Sequence, residues 1–179
     1  VKDARAVLAS GMEIDEMPIR TPVLDIATVG AGGGSIIWLD EGGMLRVGPQ
    51  SAGAAPGPAC YGKGGTSPTV TDALVLLGLI ESGSLLGDTI RIDGAAADKA
   101  FAPLAERFGK SSREMAQDAI RLAVANIVRA IQVVSTQRGH DPRDFSLVPF
   151  GGAGPLLAAN VAEELGISTI AVPPNPGVL

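Results

Sequence analysis

Two glycine-rich strings carry the residue types and spacing most suited to holding a ligand. The first is Val29-Gly30-Ala31-Gly32-Gly33-Gly34-Ser35, with four glycines in five positions. Glycine loses more backbone freedom on ordering than any other residue, so such a run weakens a fold unless a turn or a close approach requires it. Successive unshielded N–H groups make a concave anion site, and Ser35 adds a hydroxyl donor. The same string also reads as a glycine-rich hairpin or bulge between two buried strands. The second string is Gly151-Gly152-Ala153-Gly154, followed by Pro155. Proline suits the first turn of a helix, and a helix N-terminus favours negative charge.

Other reactive types are sparse. Gly57-Pro58-Ala59-Cys60-Tyr61-Gly62-Lys63-Gly64 comes close to a P-loop, but Gly64 replaces the hydroxyl that would hold Mg²⁺. Gly65, Thr66, Ser67 and Pro68 then stand where the helix should begin. Lys63 reads as a solvated lysine before an anion ligand. Cys60 is the only cysteine and His140 the only histidine. Cys60 therefore reads as a buried, inert thiol and His140 as a turn residue; neither a catalytic triad nor a histidine-rich metal site is available. Asp25 interrupts an apolar run and needs a pairing partner or a function. Asp72 reads as a helix cap, with a metal or water contact as its only catalytic reading. Trp38 reads as a core or interface anchor before a stacking platform.

Composition narrows the class. The 179 residues are 46% hydrophobic with a net charge of −5, and the aromatics are one Trp, one Tyr and four Phe. The core must come from Ala, Val, Leu and Ile, which suits helices packed on a sheet. Without a basic stripe or stacking aromatics, nucleic acid is not the expected ligand. One cysteine excludes an intramolecular disulfide framework and points to a reducing, cytoplasmic setting. No apolar run is expected to approach the roughly 18 residues of a membrane helix, and no signal peptide is expected. The chain starts at Val1 and ends near a proline-rich strand exit, so it is expected to be a segment of a longer polypeptide.

The elements that must position these residues follow from periodicity. Residues 6–10 and 12–19 read as extended, with Pro18 and Pro22 confining them to an edge or linker. Residues 23–29 read as a strand buried on both faces. Two strands, 35–39 and 44–47, flank a hairpin turn at Asp40-Glu41-Gly42-Gly43. Residues 48–68 form a long irregular region, and loops beyond about 12–15 residues are usually functional or disordered. A helix over 73–79 is expected to be capped by Thr71 or Asp72. A short extended piece covers 88–93, and a helix over 95–108 presents Ala96, Ala100, Leu104 and Phe108. The longest helix spans 112–138, about 40 Å, and is long enough to cross a sheet. A strand over 145–150, the second glycine string, a helix over 156–165 and a strand over 168–172 complete a parallel crossover. The expected organisation is α/β: a strand and glycine-loop region over 1–80, a small helical insertion over 81–110, and residues 111–179 rejoining the first domain.

Taken in order, Asp25-Ile26, the string from Val29 to Ser35, Ser51-Ala52-Gly53-Ala54-Ala55-Pro56-Gly57-Pro58-Ala59-Cys60-Tyr61-Gly62, Thr69-Val70-Thr71-Asp72-Ala73, Arg138-Gly139-His140-Asp141-Pro142-Arg143-Asp144-Phe145 and Phe150-Gly151-Gly152-Ala153-Gly154-Pro155-Leu156 closely resemble the hydantoinase A / 5-oxoprolinase family. The resemblance covers nearly the whole chain. It implies part of an ATP-dependent enzyme that opens cyclic amides, with ketone-carboxylating relatives. It implies an actin-like, Hsp70-like ATPase (RNase H-like) domain with a mixed sheet, using ATP and Mg²⁺. The glycines of 151–154 would match a pair that packs against adenosine. The cofactor-binding residues expected on this basis are Gly30, Gly32, Gly33, Gly34, Ser35, Gly151, Gly152, Ala153 and Gly154. Expected partners are a small cyclic amide, a B-type subunit or domain, and the upstream part of the same chain, with no nucleic acid and no membrane. The family's acidic Asp-x-Gly-Gly-Thr phosphate loops are absent from this sequence, and Leu157 stands where the family commonly has His. Alone, the chain is expected to bind weakly and not to turn over. An assembly module, with residues 48–68 and Trp38 forming its interface, is the reading from a different class.

Overall fold

The computed structural model describes residues 8–9, 11–14, 17–19, 21–24, 29–87 and 89–178. Asp25, with the middle of the expected 23–29 strand, lies outside them. Four short strands come first: β1 (Leu8–Ala9), β2 (Met12–Ile14), β3 (Met17–Ile19) and β4 (Val23–Leu24). β1 pairs antiparallel with β4, and β2 with β3. Pro18 sits opposite Glu13 in a two-stranded ladder, where every strand is an edge. Val29, expected inside a buried strand, is 45% exposed.

β5 (Ser35–Leu39) and β6 (Leu45–Ser51) form the main hairpin. Asp40 builds its turn: Oδ1 accepts from the amides of Gly42 and Met44, and Oδ2 from Arg46 Nε at 2.7 Å. β6 runs four residues past the expected strand end. The Trp38 indole helps hold that extension by donating to the Gly48 carbonyl at 2.8 Å. The irregular segment then returns to the hairpin, where the Ile37 amide donates to Pro68 O and Ile36 bridges Thr69.

Helix α1 covers Val70–Leu77, starting three residues before the expected position. Its N-cap is Thr69, not Thr71 or Asp72; Asp72 closes a capping box from the third helical position. β7 (Leu85–Leu86) and β8 (Ile90–Arg91) pair antiparallel, and α2 (Gly94–Phe108) follows, capped by Asp93. The buried stripe of α2 is Ala97, Ala100, Phe101 and Ala105; Phe108, expected on that face, is exposed. The burial belongs to the i, i+3/i+4 stripe that carries Phe101, the largest fully buried side chain.

α3 (Ser112–Val134) opens on a capping box between Ser111 and Glu114. It ends four residues earlier than expected, giving a helix of about 34 Å, and passes into a 3-10 turn, Thr136–Arg138. Met115, Ala116, Ala119, Ile120, Ala123 and Val124 bury its first half against the other helices. Together with the 3-10 turn, α3 is long and apolar enough by length and composition to cross a membrane. Arg121 and Arg129 break the uninterrupted run, so the sequence reading passed it over. α4 (Gly154–Leu165) begins with Pro155 in its first turn and packs on α3. Ile37, Val70, Leu74, Phe101, Met115 and Leu157 form the centre of one apolar core shared by β5 and all four helices.

The architecture is mixed α/β. The large mixed sheet expected beneath α3 is not present among the described residues, whose ladders are all two-stranded. The expected strands over 145–150 and 168–172 reduce to a single parallel bridge, Leu147 to Ile170, with α4 crossing between them. Without neighbouring strands, Val148, Phe150 and Val172 stay more than half exposed.

Candidate functional site: two glycine loops joined through Thr71

Asp72 is fully buried, and its carboxylate accepts four hydrogen bonds. Cys60 N donates to Oδ1 at 2.7 Å, and Ala59 N, Thr69 N and Thr69 Oγ1 donate to Oδ2 at 3.3, 2.8 and 2.7 Å. Three donors fill Oδ2, and Oδ1 holds one. The group anchors residues 59–60 to the start of α1 and is closed to solvent. Cys60 beside it is equally closed. Burial first, then the Asp72 charge, pushes its thiol far above the ordinary range, so the inert reading holds.

Thr71 faces the other way. Its amide donates to the Gly33 carbonyl at 2.8 Å and its hydroxyl to the same oxygen at 2.9 Å. The first amides of a helix lack intrahelical partners; here a loop carbonyl 38 residues upstream takes one of them. The loop is also tied internally. Gly32 N donates to Ser35 Oγ at 2.9 Å, Ser35 Oγ to Gly30 O at 3.2 Å, and Ser35 N to Gly32 O at 3.0 Å. Ser35 thus shapes the loop and is 4% exposed.

The glycines divide into two kinds. A Cβ on Gly30 would stand 2.7 Å from the Pro49 backbone, one on Gly34 2.9 Å from Ser51 Oγ, and one on Gly33 2.8 Å from Thr71 Oγ1. These three make room for the protein's own chain. A Cβ on Gly32 or Gly152 meets no atom within 4 Å, and both residues are exposed. Gly151 is left-handed, with φ 80°, and its amide donates to Pro176 O. The same construction at Gly33 comes 3.4 Å from Ala153 Cβ. The two strings, about 120 residues apart in sequence, therefore meet at Gly33 and Ala153. Ala153 is the N-cap of α4 and offers no side-chain cap to its first amides.

The remaining candidates lie elsewhere. His140 stacks edge-on against Phe145 with ring centroids 6.0 Å apart. It borders an open cavity of about 450 Å³ that also includes Thr136, Arg143 and Glu164. Arg143 forks onto Asp141 and holds that carboxyl down at about 2. Lys63 is exposed, and the 3-10 turn Ala59–Tyr61 precedes it where a P-loop would need a helix after it. Among the described residues, no group of three His, Cys, Asp or Glu side chains is placed to hold a metal ion. Sequence reasoning gave the cap to Thr71 or Asp72 and so missed Thr69 as the cap and Thr71 as the tie to Gly33. Their visible signal was a threonine pair flanking a valine before Asp72, the opening of a capping box.

A family model for Hydantoinase/oxoprolinase matches residues 1–179. The chain belongs to this family. Among hydantoinase/oxoprolinase relatives, it is 48% identical over 156 residues to the caprolactamase subunit alpha of Pseudomonas jessenii, covering 87% of this chain and 22% of that one. The crystal structure of the ATP-dependent caprolactamase from the same organism superposes with a TM-score of 0.86 at 45% identity, over 93% of this chain and 24% of that one. The acetophenone carboxylase gamma subunit of Aromatoleum aromaticum is 40% identical over 85% of this chain and 21% of its own length. For 5-oxoprolinase 1 of Arabidopsis thaliana the figures are 38%, 90% and 14%. The chain thus spans less than a quarter of each relative. Both glycine loops and the Asp72 hub lie within the family match.

Proposed function

We propose that this chain forms part of the ATP-binding subunit of an ATP-dependent cyclic-amide hydrolase of the hydantoinase or 5-oxoprolinase type. The observation that carries the reading is the meeting of the two glycine loops at Gly33 and Ala153, with Gly32 and Gly152 open and exposed. Open glycine backbone and the uncapped start of α4 suit phosphate oxygens or the face of a nucleoside. Gly30, Gly33, Gly34 and Ser35 shape the first loop; Gly151, Ala153 and Gly154 shape the second. On this reading ATP is used with Mg²⁺, which is held chiefly by the phosphates, waters and one or two carboxylates. The lactam or imide oxygen would take the γ-phosphoryl group of ATP with release of ADP; water would then add to the activated ring carbon, and the ring C–N bond would open as inorganic phosphate leaves. The backbone donors of the loops would hold the anionic groups in place.

The complete nucleotide site on this reading is an actin-like ATPase domain, with residues 81–110 an insertion on it. The α4 crossover between Leu147 and Ile170 is consistent with that. The relatives' subunit names support a partner subunit, here proposed as the B-type; the cytoplasmic setting rests on cysteine usage. Similarity to the acetophenone carboxylase gamma subunit supports a second reading, an ATP-dependent ketone carboxylase.

Calorimetric titration of ATP with Mg²⁺ into the full-length polypeptide tests the assignment. Gly32→Ala and Gly152→Ala add a methyl where the fold has space. Each is expected to weaken ATP by about tenfold with an unchanged melting temperature. Unchanged affinity in both variants rejects the nucleotide site and leaves the assembly module. Ring opening of a cyclic amide, against ATP-dependent fixation of bicarbonate onto a ketone, separates the two enzyme readings.

A further inference from the structure

The Gly33 carbonyl receives two hydrogen bonds from one residue, Thr71 N at 2.8 Å and Thr71 Oγ1 at 2.9 Å. Thr71 is 7% exposed and sits one position before Asp72, whose four bonds fix the start of α1. A Cβ built on Gly33 would lie 2.8 Å from Thr71 Oγ1 and 3.4 Å from Ala153 Cβ, so both residues border the space that glycine leaves. The backbone bond alone would tether the first loop. The hydroxyl adds a second point of attachment and so sets the loop's rotation about that tether.

We propose that Thr71 is a positioning residue that orients the first glycine loop against the start of α4, so that the two loops present one ligand-binding surface. The inference rests on the nucleotide reading above for what that surface binds. Its geometric part stands apart from that reading. Thr71 touches no reacting group in this scheme; it acts through the Gly33 carbonyl.

Thr71→Val keeps the shape and the backbone bond and removes the hydroxyl, with its bond to Gly33 O and its contact with the Tyr61 side chain. Thr71→Ser restores the donor. Thr71→Ala, which adds no atom, serves in place of the valine should that variant not fold. In the full-length polypeptide, Thr71→Val is expected to raise the ATP KM about fivefold, the value of one hydrogen bond, with kcat changed less than about twofold. Amide exchange in the peptide covering residues 30–36 should quicken by a similar factor, while α1 keeps its protection. Thr71→Ser should return both readouts towards the starting protein. Unchanged exchange in residues 30–36 overturns the positioning role whatever happens to ATP. Quickened exchange with unchanged ATP KM, alongside full ATP affinity in Gly152→Ala, keeps the clamp and rejects the nucleotide surface. Quickened exchange and a raised KM that Thr71→Ser does not reverse assign the effect to packing and overturn the hydroxyl's role.

Discussion

Asp72 is a buried carboxylate whose stability depends on donors supplied by two separate segments. Desolvating a charge is costly, and only full hydrogen bonding offsets it. Asp72→Asn keeps the size but turns an amide nitrogen towards N–H donors at Ala59, Cys60 or Thr69. The expected loss is about 3 kcal/mol, read as a lower denaturant midpoint with an unchanged slope. At this scale the sequence was partly legible. Asp72 stood out as a cap because Thr-x-x-Asp is a local pattern. Its bonds to Ala59 and Cys60 were not visible, because nothing in the spacing says that residues 59–60 fold back across the helix start. The same holds for the glycines. Gly30, Gly32, Gly33 and Gly34 look alike in sequence, yet three are occupied by neighbouring chain and Gly32 is not.

Among the elements, α3 was the most legible, since its cap and its apolar stripe are both short-range. Ser111 Oγ accepts from the Glu114 amide, and Glu114 Oε2 accepts in return from Ser111 N at 2.8 Å. The Ser111 hydrogen bonds hold the Glu114 carboxyl below its usual range. A depressed carboxyl contributes stability above the unfolded pKa and loses it as pH falls through the folded one. Ser111→Ala is therefore expected to cost roughly 1 kcal/mol near neutral pH. The difference between the thermal melts of the pair should narrow without closing as the pH falls through the Glu114 titration, because the Glu114 amide still lacks its Ser111 Oγ acceptor in the variant at every pH. The start of α1 was less legible. Val70 and Thr71 are β-branched, which lowers helix propensity, but the Gly33 carbonyl and the Thr69 cap draw them into the helix. The strand over 145–150 was overread for the converse reason. Its apolar residues suit a strand, but a ladder needs neighbours, and among the described residues one parallel bridge is all it finds.

Among the described residues, the larger of two apolar clusters ties β5 to α1, α2, α3 and α4. Leu157, which stands where the family resemblance implies His, is 1% exposed within that core. It is therefore a packing residue in this protein. Leu157→Ala should destabilise the fold by roughly 3 kcal/mol through lost contacts and a residual cavity. Chemical denaturation of the full-length polypeptide checks this; a loss below about 1 kcal/mol would mean that the site relaxes closed.

By itself the sequence determined what depends on neighbours a few residues apart. That includes the capping boxes, the Asp40 turn, the long amphipathic helix and the ordered motifs that resemble one family. The tertiary structure alone decided which distant residues meet: Gly33 with Thr71 and Ala153, and Asp72 with Cys60. It also decided which glycines face chain and which face open space. The physical reason is that periodicity and turn chemistry report on a residue's own backbone. The space beyond its Cα is filled, or left empty, by segments that no local pattern specifies.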